Sequence, residues 1–592
     1  MLRIDYDPRT HQAILSVGPE VPEWIWAEIR AACERRSPHV SNLGPRNISL
    51  PWWSFLLLRP DLTYVLTKHD ISLELADMVR SLLTQTRDRE AAYREALAEP
   101  LRDPNLILEE LRKQNFVRYL TPEQLRNVSF LLRFHAAATF SVPGAGKTTE
   151  ALAYFHLRRK SDTRLLVVAP KNAFAVWEEQ ISLCSPDYAN SVLRLQRGEE
   201  GVANSLAQNP TVAIISYQQL YRVVPAVAQY MTENPCFMFL DESHRMKKGY
   251  TGAYGSAILS LCHFPVCKLI LSGTPVPNSY SDLVPQFTFL YPSVPVSEQN
   301  VVEQIRRIYV RTTKPELGLR DPIRILVSVG LGPAQRRLYQ SLRSEAARQL
   351  EQMPALDRIR LRSFSRSVIR LMQVVTEPAL LAESEISGHP LLRSAINEGI
   401  GPKIIEACRR ARDLAIQGQK CIIWSQFVHI VESVADMLSD LGAEYIHGGV
   451  ETDEDEENIE SREAKIKRFH NDPSCMVLVA NPAACAESIS LHTICHHAIY
   501  IDRSYNAAHY IQSEDRIHRL GLAPNQDTHI YLLHSPDTID ESIKRRLETK
   551  VNRMSAVLND PSLNIEPAEV EEEVGFDQED LEDLRRTISN RD

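Results

Sequence analysis

The chain has 592 residues, 44% of them hydrophobic and 24% charged, which is enough for about three to five globular domains of ordinary soluble composition. No apolar run approaches the ~18 residues that a membrane helix needs, so we expect no membrane partner. The first residues lack the layout of a signal peptide, which predicts a cytoplasmic, nucleoid-associated protein in a prokaryote or a nuclear one in a eukaryote. The ten cysteines form no C-x-x-C pair and are predicted to be reduced core thiols.

The formal net charge of −9 is unevenly distributed along the chain. Residues 561–592 contain eleven acidic residues against three arginines, and residues 451–460 contain seven acidic residues. The rest of the chain therefore carries a formal charge of +6. We interpret the two acidic segments as a solvated tail and loop. The mildly basic remainder is compatible with a nucleic-acid partner.

Residues 1–112 differ in pattern from the rest of the chain. Residues 2–17 predict two strands around a turn, and residues 23–36 predict an amphipathic helix. We interpret this part as a small α+β accessory domain, with a linker at 98–106. Because tryptophan buries a large area, we expect the four tryptophans of this part in its core: Trp24, Trp26, Trp52 and Trp53.

Apolar, β-branched runs alternate with helical patterns from about residue 113 onward. This alternation indicates parallel sheets covered by helices on both faces, and the runs fall into two groups. The predicted strands are 165–170, 212–217, 236–242 and 268–274 in the first group, and 420–426, 444–449, 475–481, 498–503 and 529–534 in the second. The predicted domains are 113–332 and 396–550, with a helical insertion at 333–395 and an acidic tail at 551–592.

A glycine-containing loop, "SVPGAGKTT", occupies residues 141–149 between a predicted strand and helix. Glycines let backbone N–H groups close around phosphate oxygens, a lysine neutralises the β and γ phosphates, and a threonine hydroxyl binds magnesium. The first glycine of this motif is replaced by Ser141. The predicted nucleotide-binding residues are Pro143, Gly144, Ala145, Gly146, Lys147, Thr148 and Thr149.

Two adjacent carboxylates end the apolar run "FMFLDE". We expect Asp241 to hold magnesium together with Thr148, and Glu242 to polarise the attacking water. An acidic pair at a strand end can also be a simple helix cap. Its position 94 residues after Lys147, in the same predicted sheet, favours the catalytic interpretation.

Arginines are concentrated in the helical insertion. Residues 334–371 contain nine arginines against three acidic residues. At ~100° per residue, arginines at every fourth position form a slowly winding stripe on one side of a helix. Such a stripe can follow the phosphates of a nucleic acid, and it is equally compatible with an exposed solubilising face. The four arginines are Arg358, Arg362, Arg366 and Arg370.

The run "QSEDRIHRLG" at 512–521 lies in the second predicted α/β domain. Arg516 and Arg519 are three residues apart, so we expect them on one face of a helix. From there both could reach a γ-phosphate that the other domain binds, and hydrolysis would then depend on closure of the two domains.

These motifs, in this order, resemble the Swi/Snf-type DNA translocases of helicase superfamily two, and the run at 512–519 is most similar to their annealing-helicase branch. Further matching segments are "LTPEQLRNVSFLL", "VVAPKNAFAVWEEQI", "LSGTPVPNSYSDLVPQFTFLYP" and "YVRTTKPEL", and the resemblance covers about 120–548. It implies two RecA-like lobes that use ATP and Mg²⁺ to pull along double-stranded DNA, whether forked or protein-bound.

The resemblance also assigns roles to single residues. Gln124 would read adenine, and Ser272, Gly273 and Thr274 would couple the γ-phosphate to the grip on DNA. The residues placed at the DNA phosphate backbone are Lys171, Ser425, Gln426 and Asn506. The segment "NPAACAESISL" departs from the family, because side chains replace its three glycines and a serine replaces its asparagine, at Cys485, Ala486, Ser488 and Ser490.

The sequence leaves three functions open. The first is a DNA-dependent ATPase that translocates on duplex DNA, in DNA repair, in remodelling of protein–DNA complexes or in antiviral defence. The second is a strand-separating or RNA-directed helicase of the same superfamily. The third is a nucleotide-gated DNA-binding scaffold with slow turnover, in which the N-terminal domain recruits a protein partner; in related motors, accessory domains at this place recognise substrates.

Overall fold

The structure is a computed structural model that describes residues 1–37, 39–276, 278–351, 358–450, 461–485, 491–523 and 526–560. The chain forms two compact units, which meet in the sequence between Thr312 and Thr313. The predicted acidic loop at 451–460 lies outside the described residues, as do Ala486, Ser488 and Ser490. The predicted acidic tail at 551–592 begins too early, because residues 551–558 belong to the helix Ile539–Leu558, and residues 561–592 lie outside the description.

The first unit begins with a five-stranded sheet packed against helices. Its strands have the order β3-β4-β2-β1-β5, and β1 and β2 form the predicted antiparallel pair. The strands are β1 (Leu2–Asp7), β2 (Gln12–Val17), β3 (Ser41–Gly44), β4 (Asn47–Pro51) and β5 (Leu73–Leu75), and the helices are α1 (Glu23–Arg36), α2 (Trp52–Lys68), α3 (Asp77–Ala96) and α4 (Pro104–Lys113).

Three of the four tryptophans in this part are buried, as predicted, but Trp24 is not. Its side chain is 61% exposed, whereas Trp26 is completely buried. Helix α1 buries a stripe that includes Ile25, Trp26 and Ile29, so its first turn leaves Trp24 outside the core. The exposed ring packs edge-on against His69, with centroids 4.9 Å apart.

A seven-stranded sheet forms the rest of the first unit, with the order β12-β6-β11-β10-β7-β9-β8 and parallel pairing throughout. Its strands are β6 (Ala136–Thr139), β7 (Arg164–Val168), β8 (Val192–Leu195), β9 (Val212–Ile215), β10 (Cys236–Asp241), β11 (Cys267–Leu271) and β12 (Tyr309–Val310). The helices are α5 (Pro122–Leu131), α6 (Lys147–Arg158), α7 (Phe174–Cys184), α8 (Gly198–Ala207), α9 (Tyr217–Arg222), α10 (Val224–Glu233), α11 (Ala253–Leu261), α12 (Leu283–Leu290) and α13 (Val301–Arg306).

The second unit contains a six-stranded parallel sheet with the order β13-β18-β17-β14-β16-β15. Its strands are β13 (Ile323–Ser328), β14 (Cys421–Trp424), β15 (Glu444–Ile446), β16 (Val477–Ala480), β17 (His497–Tyr500) and β18 (His529–His534). The sequence predicts residues 313–332 in the first lobe. This boundary is wrong, because β13 pairs with β18 at the edge of the second sheet. The two parallel sheets confirm the predicted α/β fold with two RecA-like lobes.

Helices of the second unit include the predicted helical insertion. The insertion forms the helices α14 (Pro333–Glu351) and α15 (Arg358–Thr376), which pack against each other. Helix α15 buries an apolar side that includes Val368 and Leu371. Arg366 is exposed, while Arg370 forms an ion pair with Glu385; the side chains of Arg358 and Arg362 lie outside the description. The helices that follow are α16 (Pro390–Asn397), α17 (Pro402–Ile416), α18 (Val428–Met437), α19 (Arg462–Asn471), α20 (Pro482–Cys485), α21 (Ala507–Glu514) and α22 (Ile539–Leu558).

Cysteine and membrane expectations can be checked over the described residues. Nine cysteines are described there, and all of them are buried free thiols, as predicted. Among the described helices, none is both long and apolar enough to cross a bilayer.

Candidate active site

The loop after β6 has the backbone shape of a phosphate cradle. Gly144 and Gly146 have φ values of +88° and +84°, a left-handed region that side chains other than hydrogen disfavour. Gly146 is also the N-cap of α6, a helix of twelve residues whose first N–H groups face this loop. A Cβ atom on Gly146 would lie 2.1 Å from Gln124 Nε2, so a side chain here would displace the Gln124 amide from the loop.

Lys147 lies at the start of α6 and reaches back over the loop. Its Nζ donates a hydrogen bond to the carbonyl oxygen of Ser141 at 2.9 Å. Lys147 and Thr148 are both partly exposed, whereas Thr149 is buried and its hydroxyl donates to Gln180 Oε1 at 3.4 Å. The lysine and the first threonine are therefore the accessible members of the predicted set.

Gln124 is held against the same loop from the neighbouring helix α5. It forms a capping box with Thr121, in which each side chain bonds the backbone of the other residue. Its Nε2 donates to the carbonyl oxygen of Ala145 at 3.1 Å. The residue predicted to read adenine thus touches the loop predicted to hold phosphate.

Asp241 ends β10, the strand two places from β6 in the sheet. Its carboxylate accepts hydrogen bonds from Trp177 Nε1 at 2.8 Å and from the backbone N–H of Glu242 at 3.0 Å. Burial and the neighbouring Glu242 carboxylate raise the pKa of Asp241, although Lys147 opposes the shift. Its position beside Lys147 brings the predicted metal ligand to the phosphate loop.

Glu242 has a φ of +50°, which is uncommon for a residue with a side chain. Its Oε2 lies 3.3 Å from His244 Nδ1 and accepts a hydrogen bond from the Ser272 hydroxyl at 3.4 Å. Burial acts to raise the pKa of Glu242, but His244 and Lys147 outweigh it and keep this pKa low. A carboxylate that stays ionised and is held by two neighbours suits the polarising of water.

The Ser-Gly-Thr run after β11 contacts both parts of this site. Ser272 Oγ lies 3.1 Å from His244 Nδ1 and accepts the backbone N–H of Thr274 at 3.1 Å. A Cβ atom on Gly273 would lie 3.1 Å from Pro143 Cδ, so the run packs directly on the phosphate loop. All three residues are buried.

Sequence reasoning missed a buried polar network beneath the loop. Glu150 is fully buried and accepts hydrogen bonds from Asn127 Nδ2 and from the Thr139 hydroxyl, each at 2.8 Å. Asn127 Nδ2 also donates to Thr312 Oγ1 at 2.9 Å, and the Thr312 N–H donates to Ser141 Oγ at 3.0 Å. Burial raises the pKa of Glu150 to about 7. The network explains Ser141, because its hydroxyl is used where a glycine has none.

The arginines of the second unit do not lie on the predicted helical face. Helix α21 ends at Glu514, and Arg516 and Arg519 come after it in a series of turns. Arg516 is 7% exposed and its Nε donates to the carbonyl oxygen of Gln512 at 2.9 Å. Arg519 is partly exposed, and over the described part of the chain its Nε has no hydrogen-bond partner.

Ser425 and Asn506, both predicted at the DNA backbone, are hydrogen-bonded within loops of the second unit. The Ser425 hydroxyl is buried and donates to Asp502 Oδ2 at 2.6 Å, and the Gln426 N–H donates to the same carboxylate at 2.8 Å. Burial raises the pKa of Asp502 to about 6. Asn506 is the N-cap of α21, because its side chain accepts the His509 N–H at 3.2 Å.

Lys171 differs from these residues because it is exposed on a short 3₁₀ turn after β7. Gln426 is partly exposed. Sequence reasoning did not single out Asp502, since a lone aspartate after a strand has no distinctive spacing.

The residues of the first unit fit a magnesium nucleotide. Two left-handed glycines leave room for phosphate oxygens, and Lys147 supplies a cation beside them. The Thr148 hydroxyl and the Asp241 carboxylate are oxygen ligands of the kind that Mg²⁺ prefers. The raised pKa of Asp241 reflects a buried carboxylate pair that a divalent cation would stabilise.

Comparison with known proteins gives an independent result. Residues 140–307 match the SNF2-related domain, and residues 404–521 match the helicase conserved C-terminal domain. The chain is 22% identical over 441 residues to a Bacillus subtilis protein named as an ATP-dependent helicase/translocase, covering 69% of this chain and 45% of that protein. It is 22% identical over 456 residues to the mouse chromodomain-helicase-DNA-binding protein 1-like, covering 70% and 47%.

Among solved structures, the Sulfolobus solfataricus SWI2/SNF2 ATPase core in complex with dsDNA shares 21% identity with this chain, with a TM-score of 0.33 and coverage of 76% of this chain and 94% of that one. The chain spans less than half the length of the two curated relatives above. The two matched domains stand in the order of the two parallel sheets, and each contains one part of the predicted hydrolytic machinery. The chain therefore contains a SNF2-related domain and a helicase conserved C-terminal domain, and it is similar to the SNF2-type ATPases of helicase superfamily two.

Proposed function

We propose that this protein is a DNA-dependent ATPase that translocates on double-stranded DNA and remodels DNA or protein–DNA complexes. One observation carries the proposal: the phosphate loop and the acidic pair lie in one unit, and Arg516 and Arg519 lie in the other. An enzyme divided in this way hydrolyses ATP only when its two units close, so each cycle produces a movement. Relatives named as a helicase/translocase and as DNA-binding support DNA as the track.

ATP binding is assigned to the first unit. Gly144, Gly146 and Lys147 hold the phosphates, and Gln124, which bonds the loop at Ala145, is assigned to the adenine base. Thr148 and Asp241 hold Mg²⁺, which supplies positive charge against the charge that develops on the transferred phosphoryl group. Glu242 orients and polarises the attacking water, while Trp177 fixes Asp241 in place. Arg516 and Arg519 complete the charge stabilisation from the second unit.

We assign the coupling of hydrolysis to DNA to the run that begins with Ser272. Its hydroxyl bonds Glu242, and the adjacent Gly273 packs on the phosphate loop. A change at the γ-phosphate therefore reaches this run directly. Because Ser272 and Thr274 are buried, we assign them to transmission rather than to direct contact with DNA.

Direct contact with DNA phosphates is assigned to exposed residues: Lys171, Gln426 and Arg366. Cations that bind phosphates act without regard to sequence and lose affinity steeply with salt. Ser425 and Asn506 shape the loops that present such contacts. Arg370 is less available, because Glu385 already neutralises it.

The test is an ATPase titration with duplex DNA, forked DNA, single-stranded DNA and RNA, with Lys147→Ala as the inactive control. Stimulation by duplex DNA, with displacement of a third strand but no unwinding of a fork, supports a duplex translocase. Fork unwinding or stimulation by RNA would instead establish the helicase alternative. Salt-dependent DNA binding without stimulated hydrolysis would establish a nucleotide-gated scaffold.

The N-terminal domain is assigned to selecting the DNA structure or a protein partner, and its exposed Trp24 is the residue to test. The domain packs firmly on the first lobe, since the Tyr6 hydroxyl lies 2.9 Å from His263 Nε2 and Arg89 donates to the carbonyl oxygen of His263 at 2.8 Å. Deletion of the domain would expose this buried surface. Trp24→Ala should therefore change which DNA stimulates turnover while the basal rate and the melting temperature stay within error.

A further inference from the structure

The segment that joins the two units, residues 311–324, is anchored at both ends. In the first unit, Thr312 is tied to the phosphate loop through Ser141 and to helix α5 through Asn127, at 3.0 and 2.9 Å. The guanidinium of the preceding Arg311 donates to the carbonyl oxygen of Phe140. The last residues of the first unit thus move with the loop that holds phosphate.

Only Thr313 separates this anchor in sequence from the next one. Lys314, in the second unit, places its Nζ 2.6 Å from Asp515 Oδ1, with side-chain exposures of 11% and 1%. His518 Nε2 lies 2.7 Å from the carbonyl oxygen of Arg320, so it is the protonated nitrogen, and Nδ1 accepts from Lys314 at 3.2 Å. Burial lowers the pKa of His518, which agrees with a neutral ring.

A second buried ion pair lies at the beginning of β13. Arg324 Nε and Nη2 donate to the two carboxylate oxygens of Glu514 at 3.0 and 2.8 Å, a bidentate geometry. Glu514 is fully buried; burial acts to raise its pKa, but Arg324 outweighs it and lowers the pKa. The joining segment is therefore bound through Lys314 and Arg324 to the two residues that immediately precede Arg516.

Burying two ion pairs gains little net stability, because desolvation of the charges offsets most of their attraction. The bidentate Arg324–Glu514 pair fixes geometry better than apolar contacts do, since both its distance and its orientation are set, whereas the Lys314–Asp515 pair sets a distance. The residue whose geometry they set is Arg516, directly after Asp515. Placement of a transition-state cation to within about 1 Å matters strongly for rate.

We propose that Lys314 and Arg324 are positioning residues for ATP hydrolysis. They hold residues 514–519, the arginine segment, to the joining segment. The other end of the joining segment is hydrogen-bonded to the phosphate loop. This inference rests on the proposed role of Arg516 and Arg519 in hydrolysis. Neither residue contacts the nucleotide; each acts through the arginine segment.

The test compares the full-length protein with the double variant Lys314→Met/Asp515→Asn, which removes both charges and leaves neither one unpaired. We expect kcat for ATP at saturating duplex DNA to fall about ten- to a hundredfold, while the dissociation constant of a fluorescent ATP analogue changes less than about twofold. Lys314→Arg, which keeps the charge, should recover most of the rate. Arg324→Lys, which keeps the charge but loses the bidentate fork, should lower kcat by a smaller factor.

The matched control is Lys403→Met/Asp540→Asn, which neutralises another buried ion pair of the second unit that the proposed site does not use. The control should lower the melting temperature about as much as Lys314→Met/Asp515→Asn does, with kcat unchanged. If the Lys314 and Arg324 variants keep wild-type kcat, or if the control loses kcat to the same extent as they do, the positioning role is refuted. Arg516→Ala separates the two claims, because wild-type turnover in that variant would refute the proposed arginine role instead.

Discussion

The two halves of the proposed hydrolytic site differ in how their residues are held. In the first unit, the phosphate loop and the acidic pair each come directly after a buried strand, and their partners lie in neighbouring loops of one sheet. In the second unit, Arg516 lies in turns after α21, and the two residues before it pair with Lys314 and Arg324, about 200 positions earlier in the chain. A local motif can therefore specify the first half, whereas the second half depends on long-range contacts.

Within the first half, the largest expected effect comes from the acidic pair. Glu242→Gln should lower ATP turnover about a thousandfold, because an amide cannot polarise water as a carboxylate does. Binding of an ATP analogue should persist, since Glu242 holds no phosphate. Steady-state turnover and analogue binding check this, with Glu233→Gln at the exposed end of α10 as the matched control. Undiminished turnover would remove Glu242 from the mechanism.

A smaller effect is expected where the first half communicates with DNA. Ser272→Ala removes the hydroxyl that bonds Glu242 and should lower DNA stimulation of turnover about tenfold, with less effect on the basal rate. Ser256→Ala, which removes a hydroxyl from α11 away from the site, is the control. Equal losses of basal and stimulated rates would show that Ser272 acts on chemistry alone.

The network beneath the phosphate loop predicts a pH effect on stability. The pKa of Glu150 rises from 4.5 to about 7 on folding, so the folded state binds the proton more tightly. The free energy of unfolding should therefore fall as pH rises from about 4.5 to 7, and this contribution should be absent in Glu150→Gln. Urea unfolding at pH 5, 6, 7 and 8 measures it. Parallel pH curves for the two proteins would contradict the buried carboxylate.

The smallest expected effect is in the second half. Asn506→Ala removes the N-cap of α21 and should cost about 1 kcal/mol of stability, with turnover nearly unchanged at saturating DNA. Asn506→Ser should restore most of that stability. A rise in the DNA concentration needed for half-maximal stimulation, without loss of stability, would instead show that Asn506 contacts DNA directly.

The sequence predicted most of the fold because long apolar runs mark buried parallel strands. It missed β13, whose residues are half-exposed at a sheet edge and whose pairing with β18 spans about 200 residues. It was wrong about the helical face of Arg516 and Arg519, because α21 ends where Glu514 and Asp515 turn toward Arg324 and Lys314. Trp24 was placed in the core on size alone, although the buried stripe of α1 excludes it.

The residues of the candidate site likewise divide into those that the sequence predicts and those that it does not. Gly146, Lys147, Asp241 and Glu242 come together as the loop–strand pattern predicts. Glu150 and Asn127 have no distinctive spacing, and only the three-dimensional structure brings them beneath Ser141. Contacts between distant elements leave little trace in a single sequence.

ATP turnover of Arg516→Ala tests the divided site most directly. The account predicts that wild-type turnover rises with duplex DNA, and that the variant binds an ATP analogue with unchanged affinity but turns ATP over at least about a thousandfold more slowly. A variant that hydrolyses ATP at the wild-type rate would show that the first unit is catalytically complete without the second, which contradicts the account.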